Sequence, residues 1–154
     1  DSVYNWFRVL KKTYGCDVLA FVIMPNHLHC ILYFSGEGFD LNKVISNGKR
    51  FMAYEIIKRL EKNKETALLT TLSESLTERE KKKGQLHKVF KDSFDAKAIF
   101  SDKFMIQKLG YIHHNPVSGK WNLVNDFIDY EHSSASFYET SVVKCFTPLH
   151  YMSI

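Results

Sequence analysis

The stretch Val18-Leu19-Ala20-Phe21-Val22-Ile23-Met24-Pro25-Asn26-His27-Leu28-His29-Cys30-Ile31-Leu32-Tyr33-Phe34 consists of two apolar runs of strand length joined at Pro25-Asn26. Uncharged runs on either side of a turn pair predict a buried β-hairpin, with the histidines just after its turn. Side chains alternate along a strand, so His27 and His29 share one face and Leu28 takes the other. Two imidazoles so placed are a two-point clamp for a metal ion. The same pair also suits a solvated sheet face or hydrogen bonds to neighbours. Metal sites usually hold three or four ligands, so the rest of the chain has to complete this one.

Before the hairpin, apolar Val3, Trp6, Phe7, Leu10 and Tyr14 fall at one-faced helical spacing, with Arg8, Lys11 and Lys12 opposite. Gly15 is the expected stop, because glycine tolerates positive φ. After the hairpin, Ser35-Gly36-Glu37-Gly38 reads as a link and Asp40 as the cap of a helix from Leu41 to about Lys62. Leu41, Val44, Ile45, Met52, Ile56 and Leu60 form its core stripe. Lys43, Lys49, Arg50, Lys58 and Arg59 make it basic, and Lys49 and Arg50 are the candidates for phosphate contact. A charged helix face is also what simple solvation produces.

Residues 64–84 are rich in Thr, Ser, Glu and Lys and read as a surface helix or a mobile insertion. Phe94 to Phe100 alternates weakly and suggests a strand. Ser101 or Asp102 then caps a helix through Phe104, Met105, Leu109 and Ile112. That helix must end near Asn115, since Pro116 disfavours helical geometry at the residue before it. Residues 118–154 read as a C-terminal extension whose Trp121, Phe127, Tyr130, Phe137 and Tyr138 suit either stacking on unpaired bases or anchoring to the core.

At 154 residues the chain is expected to form a single domain, 1–154, with a real core. A hydrophobic share of 45% with 25% charged residues excludes a disordered chain. The +4 charge favours an anionic partner such as nucleic acid. Cys16, Cys30 and Cys145 lack C-x-x-C spacing, so a disulfide framework and a cysteine zinc site are both disfavoured. No signal peptide or long apolar run points to export or membrane insertion, and a cytoplasmic location is expected. The chain opens on Asp1, which suggests an excerpt.

The second constellation is Tyr111-Ile112-His113-His114-Asn115-Pro116. Tyr111 and Asn115, four apart, lie on one side of a helix. Facing His27 and His29, they would give two imidazoles, an amide oxygen and a phenol, an open metal site with a nucleophile beside it. A phenol titrates near pH 10, so it needs a phosphorus made easier to attack by a cation on a phosphate oxygen. The plainer alternatives are a half-buried aromatic for Tyr111 and a helix-ending residue for Asn115. His113 and His114 are assigned surface or supporting roles, with His114 a rival third ligand.

Met24-Pro25-Asn26-His27-Leu28-His29, followed about 80 residues later by Tyr111-Ile112-His113-His114-Asn115-Pro116-Val117, resembles the HUH single-tyrosine transposases of the insertion-sequence type, most closely the REP-associated tyrosine transposase branch. Ile45 to Leu60, Val89 to Asp95, and Tyr130-Glu131-His132-Ser133-Ser134 with Tyr138 add to the likeness. The resemblance implies an α/β (α+β) sandwich, with an antiparallel sheet carrying the HUH pair and helices packed on it. It implies magnesium or manganese held by His27, His29 and Asn115, with Tyr111 forming a covalent bond to single-stranded DNA at hairpin-forming repeats, commonly in a homodimer. Two departures accompany it: no strand fits before the first helix, and 64–84 is longer than the family's usual connection. Two other readings remain open. One is a domesticated repeat-DNA-binding relative without catalysis; the other is a His-x-His enzyme acting on a small molecule.

Overall fold

The structure is a computed structural model describing residues 1–154. It is an α+β fold in which six α-helices accompany one two-stranded antiparallel sheet. The helices are α1 (Ser2–Tyr14), α2 (Leu41–Lys62), α3 (Thr66–Glu74), α4 (Glu78–Lys82), α5 (Asp102–His113) and α6 (Ala135–Thr140); the strands are β1 (Cys16–Ile23) and β2 (Leu28–Phe34). The chain forms two compact units. One comprises Asp1–Trp6 with Gly38–Ala96, the other Phe7–Glu37 with Lys97–Ile154.

In the second unit the hairpin forms as its sequence requires. Pro25 and Asn26 make the turn, closed by the Met24 N–H donating to the His27 carbonyl at 2.8 Å. Val22 pairs with His29 and Ile23 with Leu28. Leu19 is an extra residue between the Val18–Leu32 and Ala20–Ile31 pairs, a β-bulge that keeps both faces of β1 supplied with apolar side chains. Phe21 packs against Phe7 of α1 and Phe146, with ring centroids 5.4 and 5.9 Å away. On the opposite face Ala20, Val22, Met24 and Ile31 pack against Met105, Leu109 and Ile112 of α5. Ile31 shares its parity with His29 and His27, so the histidines stand on the face that α5 covers.

The free edge of β1 is covered by residues 130–149 rather than by another long strand. Ser133 bridges to Val22, Ile23 N–H donates to the His132 carbonyl (2.8 Å), Ser134 N–H to the Phe21 carbonyl (2.9 Å) and Leu149 N–H to the Val18 carbonyl (3.0 Å). The hydroxyls of Tyr130 and Tyr138 donate to the carbonyls of Ile23 and Leu19, each at 2.8 Å. Burial pushes the Tyr138 phenol up to about 12, which keeps it a donor. Tyr130 and Tyr138 therefore anchor the C-terminal extension to the core, against the free edge of β1.

In the first unit Asp40 caps α2 by accepting from Lys43 N–H. Val44, Gly48 and Met52 are the buried residues of this helix, at i, i+4 and i+8. Gly48 is required by close approach, since a Cβ there would sit 2.3 Å from Trp6 Nε1. The 64–84 stretch forms the short helices α3 and α4, the latter opened by a reciprocal Thr77–Glu80 capping box. Glu80 also pairs with Lys88, and these contacts hold its carboxyl down to about 2.

Two expectations are corrected. Phe94 to Phe100 forms no strand, because that alternation is weak and no partner strand is available to it. Of the surface or supporting role expected for His113, the surface one is excluded, because the residue is buried. No helix of the chain is long and apolar enough to cross a membrane. All three cysteines are free.

Candidate active site

Alternation along β2 and its turn brings His27 and His29 side by side, ring centroids 4.9 Å apart. The C-terminal end of α5 lies over them. Ser101 starts that helix by accepting from Phe104 N–H; Tyr111 lies in its last turn, and Asn115 follows its end at the start of a 3-10 turn, Asn115–Val117. The Tyr111 ring meets His29 edge-on at 5.3 Å and is 57% exposed. Asn115 Oδ1 lies 3.2 Å from His27 Nε2. The four residues singled out in the sequence are thus gathered at one point within the second unit.

The hydrogen bonding of His27 is informative. Asn115 Nδ2 donates to the Tyr111 carbonyl at 3.1 Å, which turns Oδ1 towards the imidazole. Asn26 Oδ1 lies 2.6 Å from the other ring nitrogen, Nδ1. A neutral imidazole has one N–H and satisfies one of these two amide oxygens. With the proton on Nδ1, Nε2 and Oδ1 face each other as two lone pairs, an arrangement that a second proton or a bound cation resolves. Neighbouring ligands of an octahedral cation with bonds of 2.0–2.1 Å stand about 3.0 Å apart. The 3.2 Å separation fits that geometry, and the Asn26 contact would hold the ligating tautomer. No three His, Cys, Asp or Glu side chains cluster at metal-binding spacing; the oxygen nearest the His27 Nε2 atom is the Asn115 amide.

Burial, then the neighbouring His27 and Lys108, lower the His29 pKa and favour its neutral, ligating form. Lys108 was not singled out in the sequence. It lies one turn before Tyr111, with its ammonium 5.7 Å from that ring and 5.1 Å from Phe104. The i−3 spacing was the available signal. Trp121, 6.4 Å from His27, borders the other side.

His114 faces elsewhere: its Nδ1–H donates to the Gly110 carbonyl at 2.9 Å and its ring lies tilted against Phe127, centroids 4.1 Å apart. His113 is 3% exposed, with Nε2 2.9 Å from Ser134 Oγ, and burial depresses its pKa to about 4. It falls four residues after Leu109, on the buried stripe, which is why it goes inward. Lys49 and Arg50 belong to the other unit. Lys49 Nζ donates to the carbonyls of Lys91, Asp92 and Ser93 at 2.7, 3.3 and 2.9 Å, so its charge is used in holding that loop. The Arg50 guanidinium lies 5.0 Å from the Phe51 ring.

Comparison with protein-family models, with curated proteins and with solved structures finds no match for this chain.

Proposed function

We propose that the protein is a metal-dependent enzyme that nicks and rejoins single-stranded DNA through a phosphotyrosine bond at Tyr111, acting at hairpin-forming repeats. This reading places the chain among the HUH single-tyrosine transposases, with the α+β unit around β1, β2 and α5 as its sandwich and a homodimer as its working form. The observation that carries it is the 3.2 Å approach of Asn115 Oδ1 to His27 Nε2 beside an exposed tyrosine against His29.

His27, His29 and Asn115 would hold magnesium or manganese, which when bound polarises a phosphate oxygen and offsets charge developing in the transition state. The chain's own groups supply the rest. The exposed Tyr111 hydroxyl attacks phosphorus, forming a phenolic P–O bond while the P–O3′ bond breaks. The phenol proton is released and the departing O3′ takes one up, leaving a 5′-phosphotyrosine and a free 3′-hydroxyl. Lys108, whose ammonium lies near the Tyr111 ring, places positive charge where the phosphate must approach. The phosphodiester energy is retained in the covalent link, so a 3′-hydroxyl can reverse the step.

Incubation of the protein with end-labelled single-stranded hairpin DNA and manganese should give a denaturant-resistant adduct, and Tyr111→Phe should abolish it without weakening DNA binding. An adduct that persists in Tyr111→Phe, or one that forms equally in EDTA, would overturn the assignment.

A further inference from the structure

The first unit contains a groove of about 910 Å³ that the chemistry above does not use. One wall is α2, through Arg50, Tyr54 and Lys58. The other is the segment after α4, through Lys83, Phe90 and Lys91. Lys49 ties the walls together through its bonds to the carbonyls of residues 91–93. The groove runs along Ser46 to Glu61, which at 1.5 Å per residue is about 22 Å, the length of roughly six stacked nucleotides.

Its charge is not balanced internally. The acidic groups in the lining are Glu61 and Asp92, and Asp92 is paired with Lys88 at 3.3 Å. Arg50, Lys58, Lys83 and Lys91 enter none of the chain's ion pairs. The unit holds thirteen Lys and Arg against ten Asp and Glu, a net +3 of the chain's +4. The Tyr54 ring stands among these cations in the same lining and is 66% accessible. Tyr54 adds to the cations a flat, exposed face on which a base can stack. An acidic peptide would match the cations and leave Tyr54 without a flat partner, whereas a single strand presents phosphates and base faces together.

We propose that this groove is a second binding surface, for a single-stranded DNA segment, with phosphates on Arg50, Lys58, Lys83 and Lys91 and a base stacked on Tyr54. The identity of the polymer as DNA rests on the function proposed above; the groove's own chemistry requires a flexible polyanion with exposed rings.

Binding is measured without cleavage by titrating fluorescein-labelled oligo(dT) of about 12 nucleotides in EDTA over a range of salt. Replacing Arg50, Lys58 and Lys83 together by Gln should weaken binding and reduce the log–log salt slope by about 2, at 0.7 per phosphate contact on a single strand. Tyr54→Ala should lose about tenfold in affinity, while Tyr54→Phe, which keeps the stacking ring, restores it. All these side chains are on the surface, and circular dichroism checks the fold. Unchanged slope and affinity in the groove variants, with wild-type binding intact, would overturn this proposal alone. Competition by polyglutamate or duplex DNA as strong as by oligo(dT) would overturn it in favour of an acidic peptide or a double helix. No binding by the wild type at low salt would remove both this proposal and the DNA-processing function.

Discussion

His113 precedes His114, and the two similar side chains have unrelated environments: one is 3% exposed against Ser134, the other is bonded to the Gly110 carbonyl at an exposed helix end. The buried ring is neutral in the folded protein, with its pKa depressed from 6.5 to about 4, chiefly by burial and secondarily by His114. Above pH 6.5 both folded and unfolded states are neutral and this residue's stability contribution is fully present. Below it the unfolded chain takes up a proton that the folded chain refuses, so stability falls by about 2 kcal/mol between pH 6.5 and pH 5 and levels off below about 4. Urea midpoints across that range should decline, and His113→Gln should flatten the decline by one proton; an unaltered slope in the variant would refute the assignment. Strand parity paired His27 with His29 and helical spacing paired Tyr111 with Asn115, because both are local rules; that the two pairs face each other was implied by the family resemblance and not by any local pattern. Helical phase puts His113 on the buried stripe with Leu109, four residues earlier, although a histidine is more often found at the surface. Lys108 and the commitment of Lys49 to three carbonyls depend on neighbours remote in sequence or on chance rotamers, and no short pattern contains them.

At the scale of elements, α1, α2 and the hairpin were legible because their periods are strong and their ends carry explicit signals. Gly15, at φ +59, ends α1 and Asp40 caps α2. The Leu19 bulge and the role of Gly48 were not legible, since both arise from what packs against them. Gly48 gives a direct test. Alanine would favour the helix by about 1 kcal/mol, but its Cβ would sit 2.3 Å from the buried Trp6 ring, and overpacking of this kind costs about 1–3 kcal/mol. Gly48→Ala should therefore lower the thermal midpoint by a few degrees. A midpoint that rises would mean the indole moves aside without strain.

At the scale of the whole molecule, the C-terminal extension is the part that sequence least revealed. Its residues pair with β1 across a separation of 113 positions, from Phe21 to Ser134, and no local pattern encodes such a distance. Without it β1 would expose a row of unpaired backbone groups beside a strand made of apolar residues, the usual template for edge-to-edge aggregation. Deleting residues 130–154 should yield aggregated protein by light scattering even where far-ultraviolet circular dichroism retains helix. A soluble, monodisperse truncation with native near-ultraviolet signal would show that the edge needs no cover.

The second unit is assembled from residues 7–37 and 97–154, on either side of most of the first. Closing it is thus a long-range event, and its entropic penalty grows only with the logarithm of the intervening length, about 0.6 kcal/mol for each doubling. A segment that folds by itself shortens the effective loop further. The stretch between the histidine hairpin and the tyrosine helix is consequently where this chain can gain or lose residues at least thermodynamic expense, so a new binding surface can be added there while the pairing that aligns His27 with Asn115 is left intact.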